Sequence, residues 1–164
     1  MSAVIGTSQA RAGEPARVAE PGRAALYFAI GAILGLRSAV ASEVDLAARV
    51  ERGLPASAVG AVREHLGLAD EEIYRLVAPR RTLARRQAGR QPLTPEESER
   101  LLRVARIAAH AEQVFPEEPE YAREWLREPK RQLGNRAPID VLATEPGARA
   151  VEELLAGIEH GLFA

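Results

Sequence analysis

Residues 69–90 read ADEEIYRLVAPRRTLARRQAGR and predict two short helices separated by a single proline. Asp70 is a suitable N-cap for the first helix, which we expect over residues 71–78. Pro79 ends that helix and allows a turn into the second, which closes at Gly89. The apolar side of the first helix consists of Ile73, Leu76 and Val77.

Another helix is predicted immediately before this pair. Pro55 opens it, its apolar residues recur at helical spacing, and Gly67 is a suitable C-terminal stop. The recurring apolar residues are Val59, Val62 and Leu66. Three short helices of which the third is basic are typical of a helix-turn-helix DNA-binding domain.

The third helix carries a local cluster of positive charge. Five arginines lie within residues 80–90, whereas the whole chain of 164 residues has a formal net charge of −1. At about 100° per residue, the helix divides into a side that we expect to pack inward and an arginine-rich side that we expect to face solvent. The predicted inward side is Leu83, Ala84 and Ala88. The predicted outward side is Arg81, Thr82, Arg85 and Arg86.

Outward guanidinium groups on such a helix bind DNA phosphates or the edges of guanine bases. A solvated basic face without a ligand is the alternative interpretation of the same cluster. Because one module of this size binds weakly, we expect a dimer that reads two half-sites. The candidate DNA-binding residues are Arg80, Arg81, Thr82, Arg85, Arg86 and Gln87.

Composition excludes several other classes of protein. With no cysteine, the chain has no disulfide, thiolate zinc ligand or cysteine nucleophile. The longest apolar stretch, residues 24–36, is shorter than the roughly 20 residues that span a bilayer, and we interpret it as a buried helix or a dimer contact. We expect no metal, cofactor or catalytic residue, because the three histidines are isolated and no nucleophile–base pair is evident. Those histidines are His65, His110 and His160.

Helical patterns continue on both sides of the central stretch, so we predict an all-α protein. Ser42, Thr94 and Thr144 are predicted N-caps, and Thr94 begins a capping box that Glu97 completes. The helix after Thr94 is expected to be long. Its apolar stripe and the apolar N-terminal region are the two candidate dimer surfaces. That stripe is Leu101, Val104, Ala105, Ala108, Ala111 and Phe115. We predict a disordered tail over 1–22, helices with the helix-turn-helix over 23–92, and a long helix with a further module over 93–164.

The last helix has two possible roles. Its apolar face and the acidic character of residues 138–164 suit either a helix that closes the core or a surface that docks on a partner. The face consists of Val151, Leu154, Leu155, Ile158 and Leu162.

A series of short motifs resembles one known family over roughly residues 53–163. In chain order they are Gly53-Leu54-Pro55, APRRTLARR at 78–86, LTPEES at 93–98, Trp125-Leu126, Leu133-Gly134, APID at 137–140 and IEHGLF at 158–163. They resemble the Xre/MbcA/ParS antitoxins, the DNA-binding halves of toxin–antitoxin pairs whose toxins carry the RES domain. That family often has a second glycine where this chain has Asn135.

The resemblance implies a cytoplasmic bacterial protein that is not itself an enzyme. It would bind the operator DNA of its own operon, and its small helical C-terminal module would hold a RES-domain toxin inactive by covering the cleft in which that toxin binds NAD. The assembly expected for such a pair is a homodimer within a hetero-oligomeric complex. The implied toxin-binding residues are Asn135, Arg136, Ile139, Leu154, Leu155, Ile158 and Phe163. The alternative is a helix-turn-helix transcriptional regulator with no toxin partner.

Overall fold

The long helix that begins after Thr94 is the centre of the molecule. The computed structural model describes residues 21–162, and within that range it contains helices and a single isolated antiparallel bridge between Lys130 and Arg136. The predicted all-α class is therefore confirmed. The helices are α1 (Pro21–Ile33), α2 (Glu43–Arg52), α3 (Ser57–Leu66), α4 (Asp70–Leu76), α5 (Arg80–Ala88), α6 (Pro95–Val114), α7 (Pro119–Arg127), α8 (Pro138–Val141) and α9 (Glu145–Glu159), with a 3-10 turn at Arg131–Leu133.

Helix α6 packs against helices from both ends of the chain. It contacts α1, α2, α3 and α4 on one part of its surface and α7 and α9 on another. The predicted apolar stripe is buried except for Phe115, which is partly buried. Ile107 and Ala109 are buried as well, because the helix is covered from more than one side. This apolar stripe is used inside the chain, so the prediction that it offers a dimer surface is wrong.

Several predicted helix ends are confirmed by their hydrogen bonds. Ser42 Oγ accepts from Asp45 N at 3.2 Å, and Thr144 Oγ1 accepts from Gly147 N at 3.2 Å. Thr94 and Glu97 form the predicted capping box, with Thr94 N donating to Glu97 Oε2 at 2.9 Å and Glu97 N donating to Thr94 Oγ1 at 3.2 Å. These caps fix where α2, α6 and α9 begin.

The predicted cap of α4 is wrong by one residue. Asp70 lies in the first turn of α4, and Ala69 is the residue in the N-cap position. Glu72 Oε2 accepts a hydrogen bond from Ala69 N at 2.7 Å, so a side chain from inside the helix pairs with the backbone N–H at its N-terminus. Asp70 instead forms an ion pair with Arg63 of α3.

The N-terminal helices α1 and α2 bury most of their large apolar side chains and leave two of them exposed. Ile30 and Ile33 of α1 are in the core, as the apolar stretch predicts. Phe28 is 73% exposed and Val44 is 78% exposed, so these two side chains have no core role. Within residues 21–162, no helix is long and apolar enough to cross a membrane. The tail predicted over 1–22 lies almost entirely outside the described residues.

Candidate DNA-binding and toxin-binding sites

Helix α5 is presented at the surface by the turn that follows α4. The turn consists of Val77, Ala78 and Pro79, and Arg100 Nη1 of α6 donates to Val77 O at 3.2 Å. Leu83 is the one buried side chain on α5. Helix α5 is therefore a lightly anchored helix whose orientation depends on few contacts.

Four of the predicted DNA-binding residues are exposed on α5. They are Arg80, Arg81, Arg85 and Gln87, while Thr82 is half-buried. Within the described part of the chain, no carboxylate lies at ion-pair distance from Arg80, Arg81 or Arg85. Arginines elsewhere, such as Arg49 and Arg106, are held by acidic partners. The charge displayed by α5 is thus left uncompensated within residues 21–162, which suits a polyanionic ligand.

The outward placement predicted for Arg86 is wrong. Its Nε lies 2.6 Å from Glu97 Oε2, and the two side chains are only 15% and 9% exposed. The Arg86 Nε is not aligned as a hydrogen-bond donor, so the contact is an ion pair. Arg86 Nη1 also donates to Pro92 O at 3.2 Å. A guanidinium held in this way is directed at α6 and away from the exposed face.

The inward placement predicted for Ala84 and Ala88 is also wrong, because both are exposed. The helix is rotated so that Leu83 and Arg86 face the protein. Alanine is too small and too weakly apolar to determine which side of a short helix is buried, whereas a buried carboxylate attracts a cation strongly.

The first turns of α6 hold α5 through Glu97, and they also bind the segment between α2 and α3 through a second polar side chain. Ser98 is fully buried, and its Oγ accepts from Leu54 N at 2.9 Å. Leu93 N donates to Leu54 O at 2.9 Å, so the two loops run side by side. A Cβ atom at Gly53 would lie 2.3 Å from Leu93 O, which is why only glycine fits there. Ser98 thus has a structural role that the sequence does not reveal, because its partner is 44 residues away.

The loop between α7 and α8 forms the exposed part of the predicted toxin-binding region. Lys130 N donates to Arg136 O, and Asn135 N donates to Lys130 O, both at 3.0 Å. Asn135 has a φ of 59°, a left-handed conformation in which asparagine is one of the few tolerated alternatives to glycine. Asparagine is therefore a suitable residue for this position of the loop. Asn135 and Arg136 are both exposed.

Three of the predicted toxin-binding residues belong to the core. Ile139, Leu154 and Leu155 are buried, because α9 packs along α6 and α8 packs against α7 and α9. Of the two roles open for the last helix, its apolar face mainly closes the core. Ile158 is partly buried and packs against the core, Leu162 is 75% exposed, and Phe163 lies outside the described residues. Sequence periodicity identifies the apolar face correctly but does not identify what covers it.

The C-terminal helices are joined directly to the helix-turn-helix by arginine side chains. Arg127 of α7 donates to Gly67 O at 2.7 Å and pairs with Glu72 at 3.2 Å. Arg75 of α4 pairs with Asp140 of α8 at 2.8 Å. The two regions therefore share an interface that contains several charged contacts.

The described residues include no cluster of metal-ligating side chains. Residues 21–162 contain no cluster of three or more histidine, aspartate or glutamate side chains that could hold a metal ion. Two of the histidines instead lie against glutamates, His65 against Glu112 at 2.5 Å and His110 against Glu159 at 3.7 Å.

Comparisons with known proteins match both regions. Residues 45–106 match the family model described as the antitoxin Xre-like helix-turn-helix domain. Residues 110–161 match the antitoxin Xre/MbcA/ParS C-terminal toxin-binding domain. The first match contains α3, α4 and α5, and the second contains α7, α8 and α9.

Curated relatives agree with these matches over most of their length. An antitoxin Xre of Pseudomonas putida is 37% identical over 122 residues, which cover 74% of this chain and 76% of that protein. An antitoxin Xre of Photorhabdus laumondii is 33% identical over 120 residues, 73% of this chain and 81% of that protein. A Sphingobium protein named Prs ADP-ribosylating antitoxin is 32% identical over 133 residues, 76% of this chain and 84% of its own length. With a helix-turn-helix that displays exposed arginines and a C-terminal toxin-binding domain, this chain belongs to the Xre/MbcA/ParS family of antitoxins.

Proposed function

We propose that this antitoxin neutralises a RES-domain toxin that acts on NAD, and that it represses its own operon by binding operator DNA. The main supporting observation is that the matched helix-turn-helix exposes Arg80, Arg81 and Arg85, which have no acidic partner among residues 21–162, beside a separate matched toxin-binding domain. The name of the Sphingobium relative supports a partner that uses NAD, because ADP-ribose groups are transferred from NAD. Neutralisation is by occlusion of the toxin's active site, and the antitoxin itself catalyses no reaction in the cytoplasm.

On the toxin side, we propose that the contacts come from the exposed parts of the C-terminal domain. These are the loop with Asn135 and Arg136, the partly buried Ile158 near the end of α9, and the exposed Leu162 just after that helix. Phe163 remains a candidate contact. Ile139, Leu154 and Leu155 lie outside this surface, because their side chains are buried in the core.

On the DNA side, we propose that Arg80, Arg81 and Arg85 contact phosphates or guanine edges, with Thr82 and Gln87 as secondary contacts. The protein acts as a homodimer within a hetero-oligomeric complex, so that two α5 helices reach two half-sites. The N-terminal helices, which leave Phe28 and Val44 exposed, remain the candidate surface for self-association.

A toxin-protection experiment tests the neutralisation proposal. Arg136→Glu reverses an exposed charge in the proposed toxin contact, and Arg149→Glu is the matched control on the exposed side of α9. We expect co-expressed toxin to escape inhibition by Arg136→Glu and to stay inhibited by Arg149→Glu, with both variants folded by circular dichroism. Full protection by Arg136→Glu, and by a chain truncated after Glu159, would contradict the proposed contact surface.

The alternative function is a transcriptional regulator without a toxin partner. It shares the DNA-binding surface and differs only in what the C-terminal domain does. Failure to recover any complex with the product of the neighbouring gene, together with normal operator binding, would favour this alternative.

A further inference from the structure

Helix α5 is held to the protein by two inward side chains, and they differ in chemistry. Leu83 is its one buried residue, and Arg86 reaches the carboxylate of Glu97. Residues three apart on a helix lie about 60° apart around its axis, so the two side chains define one inward side. A single apolar contact resists separation of two helices but does little to resist rotation of a short helix about its own axis, because hydrophobic contact is non-directional. Arg86 supplies a second point of attachment at a different angle around the axis, and its Nη1 hydrogen bond to Pro92 O at 3.2 Å is directional.

The partner of Arg86 is itself firmly positioned. Glu97 Oε2 accepts from Thr94 N at 2.9 Å within the capping box, so the carboxylate is fixed to the first turn of α6. Arg100, one turn later, donates to Val77 O in the turn before α5. The first two turns of α6 thus hold α5 near both of its ends.

This rotation determines which residues face outward. With Leu83 and Arg86 inward and about 100° per residue, Arg81 and Ala88 lie opposite them at the middle of the exposed side of α5. Arg85 lies to one side of that middle, and Ala84, Arg80 and Gln87 lie in turn to the other. If α5 turned to bring Arg86 outward, this whole set of side chains would shift around the axis.

We propose that Arg86 is a positioning residue for DNA recognition: its ion pair with Glu97 fixes the rotation of α5 and so determines which side chains meet the base edges of double-stranded DNA. Arg86 itself contacts neither phosphate nor base. The inference rests on the DNA-binding part of the proposed function and assigns to Arg86 a role different from that proposed for Arg80, Arg81 and Arg85.

The test compares binding to two duplexes over a range of salt concentrations. One duplex carries the sequence directly upstream of this protein's own gene, and the other has the same composition in scrambled order. Arg86→Met removes the ion pair, Arg86→Lys keeps a cation, and Glu97→Gln keeps the oxygen that caps α6 but removes its charge. Arg81→Ala is the reference for removal of one phosphate-binding side chain, and Arg149→Met is the control for removal of an exposed arginine far along the chain on α9.

We expect Arg86→Met and Glu97→Gln each to reduce the preference for the upstream duplex over the scrambled one by on the order of tenfold, as misalignment of base-reading side chains does. The two variants should have similar salt slopes, because both shift the same set of side chains and neither removes a phosphate-binding one. Arg81→Ala should lower the magnitude of the slope by about one. Arg86→Lys should recover part of the preference. The Arg86→Met/Glu97→Gln double variant should keep at least as much preference for the upstream duplex as the single variant that loses more of it.

The preference ratio separates positioning from simple loss of folded protein. If a variant is partly unfolded but its folded molecules have the native structure, it binds less of both duplexes. The ratio of its affinities for the upstream and scrambled duplexes then stays at the wild-type value. A salt slope that falls by about one in Arg86→Met but not in Glu97→Gln would show a direct phosphate contact of Arg86 and overturn the inference. An unchanged ratio in both variants would overturn it as well. If the wild type showed no preference for the upstream duplex, the proposed operator binding would fail first, and the inference with it.

Discussion

At the scale of single residues, the arginines of α5 differ in their surroundings more than in their spacing. Arg81 and Arg85 are exposed and have no acidic partner among residues 21–162. Arg86 is mostly buried against Glu97. A buried carboxylate that is deprived of its cationic partner keeps the cost of its desolvation, whereas an exposed arginine is simply solvated.

Arg86→Met should therefore lower the free energy of unfolding by about 3 kcal/mol, because it leaves the carboxylate of Glu97 buried without its partner. Arg85→Met, the control on the exposed side of the same helix, should change it by no more than about 0.5 kcal/mol. Urea unfolding followed by circular dichroism measures both. Equal effects of the two substitutions would show that the ion pair is not formed in solution.

Asp45 gives a prediction for acid pH. The hydrogen bond from the Arg49 side chain, and then the one from the Ala41 backbone, hold the pKa of Asp45 below its ordinary value of 3.8. A lowered pKa means that the folded state favours the charged carboxylate, so this stabilisation is complete above pH 3.8 and is lost as pH falls through the folded-state pKa. Asp45→Asn should accordingly lose less stability than the wild type on acidification below that pH. The measurement is the urea midpoint of the wild type and of Asp45→Asn at several pH values. Parallel curves of midpoint against pH for the two proteins would argue against the Asp45–Arg49 pair.

At the scale of elements, close backbone approaches decide which small residues are essential. Gly147 lies in the first turn of α9, and a Cβ atom there would lie 2.0 Å from Val141 O. The join between α8 and α9 therefore leaves no room for a side chain. Gly60 of α3 has no heavy atom within 4 Å of the position that its Cβ would occupy.

Alanine at these two glycines should have opposite effects. Gly147→Ala should destabilise the protein by about 3 kcal/mol, because α9 must move away from the backbone of α8. Gly60→Ala should stabilise it by about 0.5 kcal/mol, since alanine loses less conformational freedom in a helix than glycine. Thermal unfolding of the two variants provides the comparison, and a stable Gly147→Ala protein would be inconsistent with the packing of α8 on α9.

The sequence predicts where the helices begin better than it predicts which side of each helix is buried. Helix ends at Ser42, Thr94 and Thr144 are local signals, because the cap and the amides it binds lie within three residues. The rotation of α5 depends on Glu97, which lies eleven residues beyond Arg86 and appears in the sequence only as part of a capping box. For α9, periodicity identifies the apolar face, but only the position of α6 shows that the face is covered.

At the scale of the whole molecule, α6 connects the two matched domains. Its first turns hold α5 through Glu97 and Arg100, and the same helix packs against α7 and α9. Arg127 and Arg75 add direct contacts between the C-terminal helices and the helix-turn-helix. The predicted division between 23–92 and 93–164 stays a prediction, and the long helix begins just after that boundary.

The DNA-binding surface makes a prediction for the whole protein. The Arg81→Ala/Arg85→Ala double variant should bind its upstream DNA more weakly, and the slope of log affinity against log salt should fall in magnitude by about one for each phosphate that the protein no longer binds. A fluorescence anisotropy titration at several salt concentrations measures this. Unchanged affinity and slope in a folded double variant would remove α5 from the DNA interface.

The most direct test of the proposed neutralisation is an assay of NAD consumption with the product of the gene adjacent to this one, alone and after co-expression with this antitoxin. We expect the two proteins to purify as a stable complex and the complex to consume NAD far more slowly than the toxin alone. Rapid NAD loss from a stable complex would contradict occlusion of the active site. No complex and no effect on NAD would contradict the proposed partner and leave a DNA-binding regulator.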